Sequence, residues 1–147
     1  MNSMKYFYPL IVQVTVKDDS EWWTSLLQKP ILSIMDAHSV PEYSIISVSG
    51  ILGHMCMEEK KVKAETRWLL IMKILDRTGQ IEVRSWTHTM SDFSIHREKP
   101  ILLKRVRVTA YAGTKMLELI DGGGTAVDSE FPHAGDLTSF WKEPATA

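Results

Sequence analysis

Two aromatic residues, Trp86 and Tyr111, stand at positions from which a side chain could bind a flat, ring-shaped ligand. Trp86 closes the alternating segment 80–86, where it falls on the polar side together with Arg84. Tyr111 lies among small residues in a turn at 109–113, where a large ring has little core to enter. A nucleic-acid base can stack on such a ring, and each stacked base stabilises a complex by roughly 1–3 kcal/mol. The alternatives are that Trp86 covers one end of a β-barrel and that Tyr111 packs across its own hairpin.

Basic residues accompany both aromatic positions. One group lies on or beside the strands that carry the rings, and it consists of Arg84, Arg105, Arg107, Lys104 and Lys115. A second group lies near the first predicted hairpin, where Glu58 and Glu59 dilute it, and it consists of Lys60, Lys61, Lys63 and Arg67. Such cations could pair with phosphates, which makes binding weaken as the salt concentration rises. The alternative for any single one of them is an ordinary solvated strand face.

Motifs for catalysis are absent from the sequence. The chain has no Gly-rich phosphate loop, no Gly-x-Ser-x-Gly turn and no His-Glu-x-x-His pair. Its five histidines are scattered, and Cys56 is its single cysteine, so neither a zinc site nor an intrachain disulfide is predicted. The sequence therefore predicts a protein that is not an enzyme and that uses no metal or cofactor.

Length and composition favour one soluble domain with a short extension. The chain has 147 residues, of which 44% are hydrophobic and 24% charged. Its net charge of -1 argues against a strong polyanion binder, but basic residues dominate between residues 60 and 115, and local field matters more than total charge. No apolar run approaches the ~18 residues of a membrane span. The first residues lack a signal-peptide pattern, so an intracellular protein is predicted.

Alternating and apolar segments predict an all-β fold. The five predicted strands are residues 43–52, 64–75, 80–86, 101–108 and 115–120. Gly50 and Gly53 are predicted bend points, residues 58–63 a charged connection, and residues 136–142 a closing helix capped by Asp136. In the fourth strand, Lys104 is expected to share a face with Val106.

Five strands with a connection between the third and fourth are typical of the oligonucleotide-binding (OB) fold, a five-stranded Greek-key barrel. A β-sandwich would need about seven strands. The predicted barrel domain spans residues 41–142, with a tail at 143–147. Residues 1–40 form an N-terminal extension with a strand at 9–16 and a helix at 21–28. Two interpretations of this extension stand: it is the remnant of a preceding module, or it is a clip packed on the barrel.

The segment from residue 31 to residue 141 resembles the single-stranded-DNA-binding OB domains of the replication protein A large subunit. The matching segments are residues 43–50, 75–79, 82–86, 99–104 and 105–119. The resemblance implies that Trp86 and Tyr111 are the two base-stacking aromatics of that family. The segment after the fifth strand departs from the family, because Asp121-Gly-Gly-Gly replaces its usual Asn-Pro-containing stretch. A divergent paralogue is therefore expected, such as a meiosis-specific, telomere-capping or shieldin-type OB protein.

The predicted function is sequence-tolerant binding of single-stranded DNA in replication, repair, recombination or end protection, with RNA left open as a ligand. The predicted location is the nucleus, and other subunits of a DNA-maintenance complex are the predicted partners. The alternative is an OB-fold scaffold subunit with little intrinsic DNA binding. For that alternative, the candidate interface anchors are Trp22, Trp23, Phe140 and Trp141.

Overall fold

The computed structural model describes residues 30–143, so the strand predicted at 9–16 and the helix predicted at 21–28 lie outside the described residues. The strands are β1 (Ile31–Leu32), β2 (Ile45–Val62), β3 (Glu65–Asp76), β4 (Gly79–Ser85), β5 (Pro100–Tyr111), β6 (Thr114–Leu119) and β7 (Ala126–Asp128). The helices are α1 (Ile34–Ser39), α2 (Met90–Phe93) and α3 (Ala134–Lys142), and a 3-10 turn, Ser94–His96, follows α2.

Five of the strands close into a barrel in the order β2–β3–β4–β6–β5, and β5 pairs again with β2. The neighbours in this ring are antiparallel except β4 and β6, which run parallel. Each strand of the ring buries apolar side chains in one core, as shown by Val48, Met72, Val83, Leu103 and Leu117, all with no exposed surface. The predicted OB barrel with a C-terminal helix is confirmed.

Strand β2 is far longer than predicted. It runs for 18 residues and includes residues 58–62 of the charged segment 58–63, which was predicted as a connection. The reversal into β3 takes only Lys63 and Ala64, whose φ angles of 51° and 69° suit a tight two-residue hairpin turn. Beyond the barrel, β2 and β3 pair only with each other within the described residues. We call this projecting hairpin, residues 58–69, the arm.

A bulge interrupts β5 and overturns the predicted alternation there. Ile46 of β2 pairs with Val106, but Val48 pairs with Leu103, so β5 contains one extra residue between the two pairs. Arg105 lies in this bulge with a φ of 68°. As a result Leu103 and Val106 are both buried, whereas Lys104 is exposed and does not share a face with Val106.

The barrel core includes residues on the N-terminal side of the predicted domain boundary. Ile34 and Ala37 of α1 have no exposed surface and belong to the same apolar cluster as the strands. Strand β1 adds to the sheet beside β2. The division predicted after residue 40 therefore cuts through this core, and β1 and α1 are part of the barrel domain.

The closing helix α3 begins at Ala134, two residues before the predicted cap Asp136. Its last turn is held by Arg77 in the β3–β4 turn. The Arg77 guanidinium donates two hydrogen bonds to the carboxylate of Glu143, and its Cζ lies 5.5 Å from the centroid of the Phe140 ring. The C-terminal end of α3 is thus tied to the barrel by one arginine.

This attachment should depend on pH. The hydrogen bond from Arg77 holds the pKa of Glu143 below its usual value. The pair therefore stabilises the fold fully above the ordinary glutamate pKa of about 4.3, and this contribution is lost as pH falls through the lower folded-state pKa. We expect Glu143→Gln to lower the melting temperature slightly at neutral pH, and the difference from the wild type to vanish in acid, where Glu143 is protonated in both the folded and the unfolded state. Thermal unfolding of both proteins over this range is the measurement; an offset that persists in acid would contradict the assignment.

Candidate nucleic-acid interface

A surface cleft of about 210 Å³ lies on the outer face of the barrel and contains both predicted stacking residues. Trp86 and Tyr111 line it, together with Leu69, Arg84, Thr109, Ala110, Met116 and Glu118. Tyr111 is the last residue of β5 and is 70% exposed, whereas Trp86 is half-buried. The structure therefore brings the two rings to one cleft and leaves neither sealed in the core.

The position of Trp86 follows from the strand that precedes it. In β4, Ile81, Val83 and Ser85 are buried, so the intervening residues, Arg84 among them, take the outer face. Directly after β4, the buried Ser85 Oγ accepts hydrogen bonds from the backbone N–H of Thr87 at 3.2 Å and from that of His88 at 3.1 Å. These two bonds fix the turn that contains Trp86.

Arg67 covers part of the Trp86 ring. Its Cζ lies 4.8 Å from the ring centroid, a cation–π distance. Arg67 projects from the arm, and within residues 30–143 it has no carboxylate partner within 4 Å. This arginine thus holds one face of the indole and keeps its charge unneutralised at the edge of the cleft.

The two arginines predicted on the barrel face are neutralised by glutamates. Arg84 makes an ion pair with Glu82 on the same strand. Arg107 Nη1 lies 3.6 Å from Oε1 of Glu118. Both arginines are half-buried beside or in the cleft, as predicted, but each is matched by a negative charge. Their attraction for phosphate is therefore weaker than the count of basic residues implied.

Three other predicted cations lie away from the cleft lining. Lys115 donates to the carbonyl of His38 at 3.3 Å and to that of Val40, so its ammonium group caps the end of α1. Arg105 is exposed in the β5 bulge, and Lys104 lies 2.9 Å from Asp128. The phosphate contacts of Lys115 and Arg105 stay predictions. The Lys115 ammonium group is already hydrogen-bonded to the end of α1.

The second predicted basic group is spread along the arm. Lys60 faces Arg67 across the hairpin and lies 3.1 Å from Glu58, Lys61 is exposed on β2, and Lys63 is in the turn at the tip. Of this group only Arg67 reaches Trp86. Lys60, Lys61 and Lys63 do not line the cleft.

The sequence analysis missed the contribution of β6 to the cleft. Met116 and Glu118 line it, while Leu117 and Leu119 are buried. The signal was present, because a glutamate between two leucines in an alternating strand must point away from the core. The position of Glu118 between Arg84 and Arg107 could not be predicted, because it depends on the pairing of β6 with both β4 and β5.

No group of three His, Cys, Asp or Glu residues among residues 30–143 is arranged to hold a metal ion. None of the helices described is long and apolar enough to cross a membrane.

Among known proteins, this chain matches solved structures but no protein-family model and no curated sequence. The OB domain of Ta0387 from Thermoplasma acidophilum is 20% identical, with a TM-score of 0.53 over 69% of this chain and 91% of that one.

Two further matches are a replication protein A complex and a protein related to replication factor A. A replication protein A heterotrimer bound to single-stranded DNA gives a TM-score of 0.59 at 13% identity, over 78% of this chain and 28% of that one. The replication factor A related protein from Methanobacterium thermoautotrophicum gives 0.51 at 19% identity, over 67% and 89%. At these identities the likeness concerns the fold. The chain therefore has an OB fold of the kind found in replication protein A and its archaeal relatives.

Proposed function

We propose that this protein binds single-stranded DNA by stacking bases on Trp86 and Tyr111. The observation that carries the proposal is the shared cleft, which holds an exposed phenol and a half-buried indole on the outer face of an OB barrel. Stacking needs only the flat face of a base, so binding should tolerate many sequences. A similar fold in replication protein A was solved bound to single-stranded DNA, which supports this choice of ligand.

The charge of the cleft favours moderate affinity. Glu82 and Glu118 offset Arg84 and Arg107, and Arg67 is the cation at the cleft without a carboxylate partner in the described range. Phosphate contacts contribute most of the salt-dependent affinity of such proteins. We therefore assign the main phosphate contact to Arg67 and give the neutralised arginines a smaller part.

A direct test is a fluorescence-anisotropy titration with a labelled, mixed-sequence oligonucleotide of about 12 nucleotides, within the ~4–16 that one OB fold covers. Binding that weakens with salt supports the proposal, and an inert chain overturns it. We propose that the protein acts in the nucleus, in DNA replication, repair, recombination or end protection. Its partners there would be other subunits of a DNA-maintenance complex.

Arg67 should contribute to this binding through its charge. We expect Arg67→Ala to make the slope of log affinity against log salt concentration shallower by roughly 0.7, the value for one phosphate contact on a single strand. Arg67→Lys should keep the slope but bind less tightly, because an ammonium group does not stack on the indole as a planar guanidinium does. The titration at several salt concentrations measures both quantities.

Arg97→Ala is the matched control for Arg67. Arg97 is an exposed arginine in the connection between β4 and β5, residues 86–99, and does not line the cleft. Its removal changes the net charge equally but should leave the slope within error of the wild type. An unchanged slope for Arg67→Ala would show that Arg67 makes no phosphate contact.

A scaffold role is the second candidate, and exposed apolar side chains favour it. Trp68 is 54% exposed on the arm, Met35 is 55% exposed on α1, and Ile95 is 71% exposed. Of the anchors predicted for this role, Trp22 and Trp23 lie outside the described residues, Phe140 packs under Arg77, and Trp141 is 37% exposed. If the chain is folded and monomeric but does not bind oligonucleotides in the titration, the scaffold role is favoured.

A further inference from the structure

The carboxylate of Glu118 is an unusual group to find in a cleft that contains two candidate stacking rings. It lines the same cleft as Trp86 and Tyr111, and its side chain is only 29% exposed. It sits in the sheet between Arg84, its partner on β4, and Arg107, its partner on β5. A negative charge at this point repels phosphates, so it does not serve backbone binding.

Glu118 also lacks the hydrogen bonds that a largely covered carboxylate normally has. Its contact with Arg107 is 3.6 Å long, and within residues 30–143 neither of its oxygens accepts a hydrogen bond from a protein donor. Ionised carboxylates offer about four acceptor positions. Polar groups that are withdrawn from water are usually hydrogen-bonded. The acceptor positions of Glu118 therefore stand open to a donor supplied from the cleft.

Bases differ in the donors that they can offer. Guanine presents its N1–H and its N2 amino group side by side on the Watson–Crick edge, which matches the two oxygens of one carboxylate. Cytosine presents one amino group, and carboxylates accept from it in known protein–DNA contacts. Thymine presents a single N–H between two carbonyl oxygens, and both carbonyls would face the negative charge. A site built to accept hydrogen bonds discriminates strongly against a ligand that leaves it unpaired.

We infer that Glu118 makes the cleft selective among bases, favouring guanine first, then cytosine, over thymine. This inference rests on the proposed function, since it requires a base to be stacked beside Trp86 or Tyr111. It departs from sequence-tolerant binding at one nucleotide position only. The neighbouring stacked positions remain tolerant, because a ring face carries no sequence information.

The test compares three labelled oligonucleotides of equal length: thymine only, alternating thymine and guanine, and alternating thymine and cytosine. A good bidentate contact to a base discriminates by about 1–3 kcal/mol, so we expect the guanine-containing strand to bind roughly tenfold more tightly than the thymine strand. The cytosine-containing strand should fall between them. Because the contact is to a base, this ratio should change little with salt, while all three affinities fall.

The variant Glu118→Gln separates selectivity from overall affinity. Loss of the negative charge should tighten binding to every strand, since Arg107 is then free for phosphate, and the guanine preference should shrink to a few-fold or less. Glu130→Gln is the control, because Glu130 is an exposed glutamate outside the cleft and its loss changes the net charge equally. That control should keep the wild-type ratio.

The outcomes are distinct. Equal binding of all three strands by the wild type, or an unchanged ratio in Glu118→Gln, overturns the selectivity of Glu118 while single-stranded DNA binding stands. Absence of binding to any strand, the mixed sequence included, overturns the proposed function and this inference with it.

Discussion

Replacement of both Trp86 and Tyr111 by alanine is expected to weaken single-stranded DNA binding by about 100-fold or more. Each stacked base contributes roughly 1–3 kcal/mol to binding, and 1.4 kcal/mol is a factor of ten in affinity. Loss of both rings should therefore reduce the affinity by about ten times ten. The rings are separate residues on β5 and after β4, and each single variant should show part of the loss. Anisotropy titration at fixed salt measures the change.

The chain offers a control with the same residue types. Trp68 and Tyr43 are 54% and 71% exposed, and neither lines the cleft. The double change of Trp68 and Tyr43 to alanine therefore removes one indole and one phenol from the surface outside the proposed site. It should bind DNA like the wild type. A similar loss in both double variants, or none in the first, would contradict the stacking roles; circular dichroism establishes that each variant is folded.

Gly50→Ala is expected to destabilise the fold by about 2–3 kcal/mol, a large effect for one methyl group. Gly50 lies where β2 passes from its pairing with β5 to its pairing with β3. A Cβ at this position would lie 2.9 Å from the carbonyl oxygen of Leu75 and 3.1 Å from its backbone nitrogen. The obstacle is backbone of a paired strand, so the barrel itself must shift to accept the side chain. Urea unfolding measures the loss as a lower midpoint.

Gly135→Ala is the control for the same substitution. A Cβ at Gly135 meets no atom within 4 Å, and the residue lies in α3, where alanine is the better helix former. Its stability should be unchanged or raised by up to about 1 kcal/mol. Equal midpoints for Gly50→Ala and the wild type would show that β2 and β3 can separate at this point without loss.

The sequence predicted well those features that follow from local alternation. The burial of Ile81 and Val83 put Arg84 on the outer face of β4, and the small residues around Tyr111 kept its ring exposed. Gly53 was predicted as a bend point, and the register of β2 against β3 shifts between Leu52 and Met55, on either side of this glycine. These features depend on neighbours within a few residues, so one strand suffices to predict them.

Features that depend on distant partners escaped prediction. Glu58 and Lys60 look like a loop by composition, but pairing with β3 makes them strand. The contact of Lys115 with the end of α1 escaped prediction because α1 itself was not predicted. The ion pair between Arg107 and Glu118 joins two strands of the barrel, so the sequence around either residue does not predict it. The net charge of the cleft was therefore overestimated from the sequence.

The arm gives the binding surface a kinetic property. Its strands, residues 58–62 and 65–69, pair only with each other in the described structure, so they can open from the tip without breaking a barrel pair. Amide protons of the arm should therefore exchange with solvent faster than those of the barrel. Arg67 leaves the Trp86 ring whenever its segment of the arm opens. The face of the Trp86 ring that Arg67 covers therefore becomes accessible to a base when the hairpin frays. The frequency of this exposure depends on the hairpin and not on a motion of the barrel.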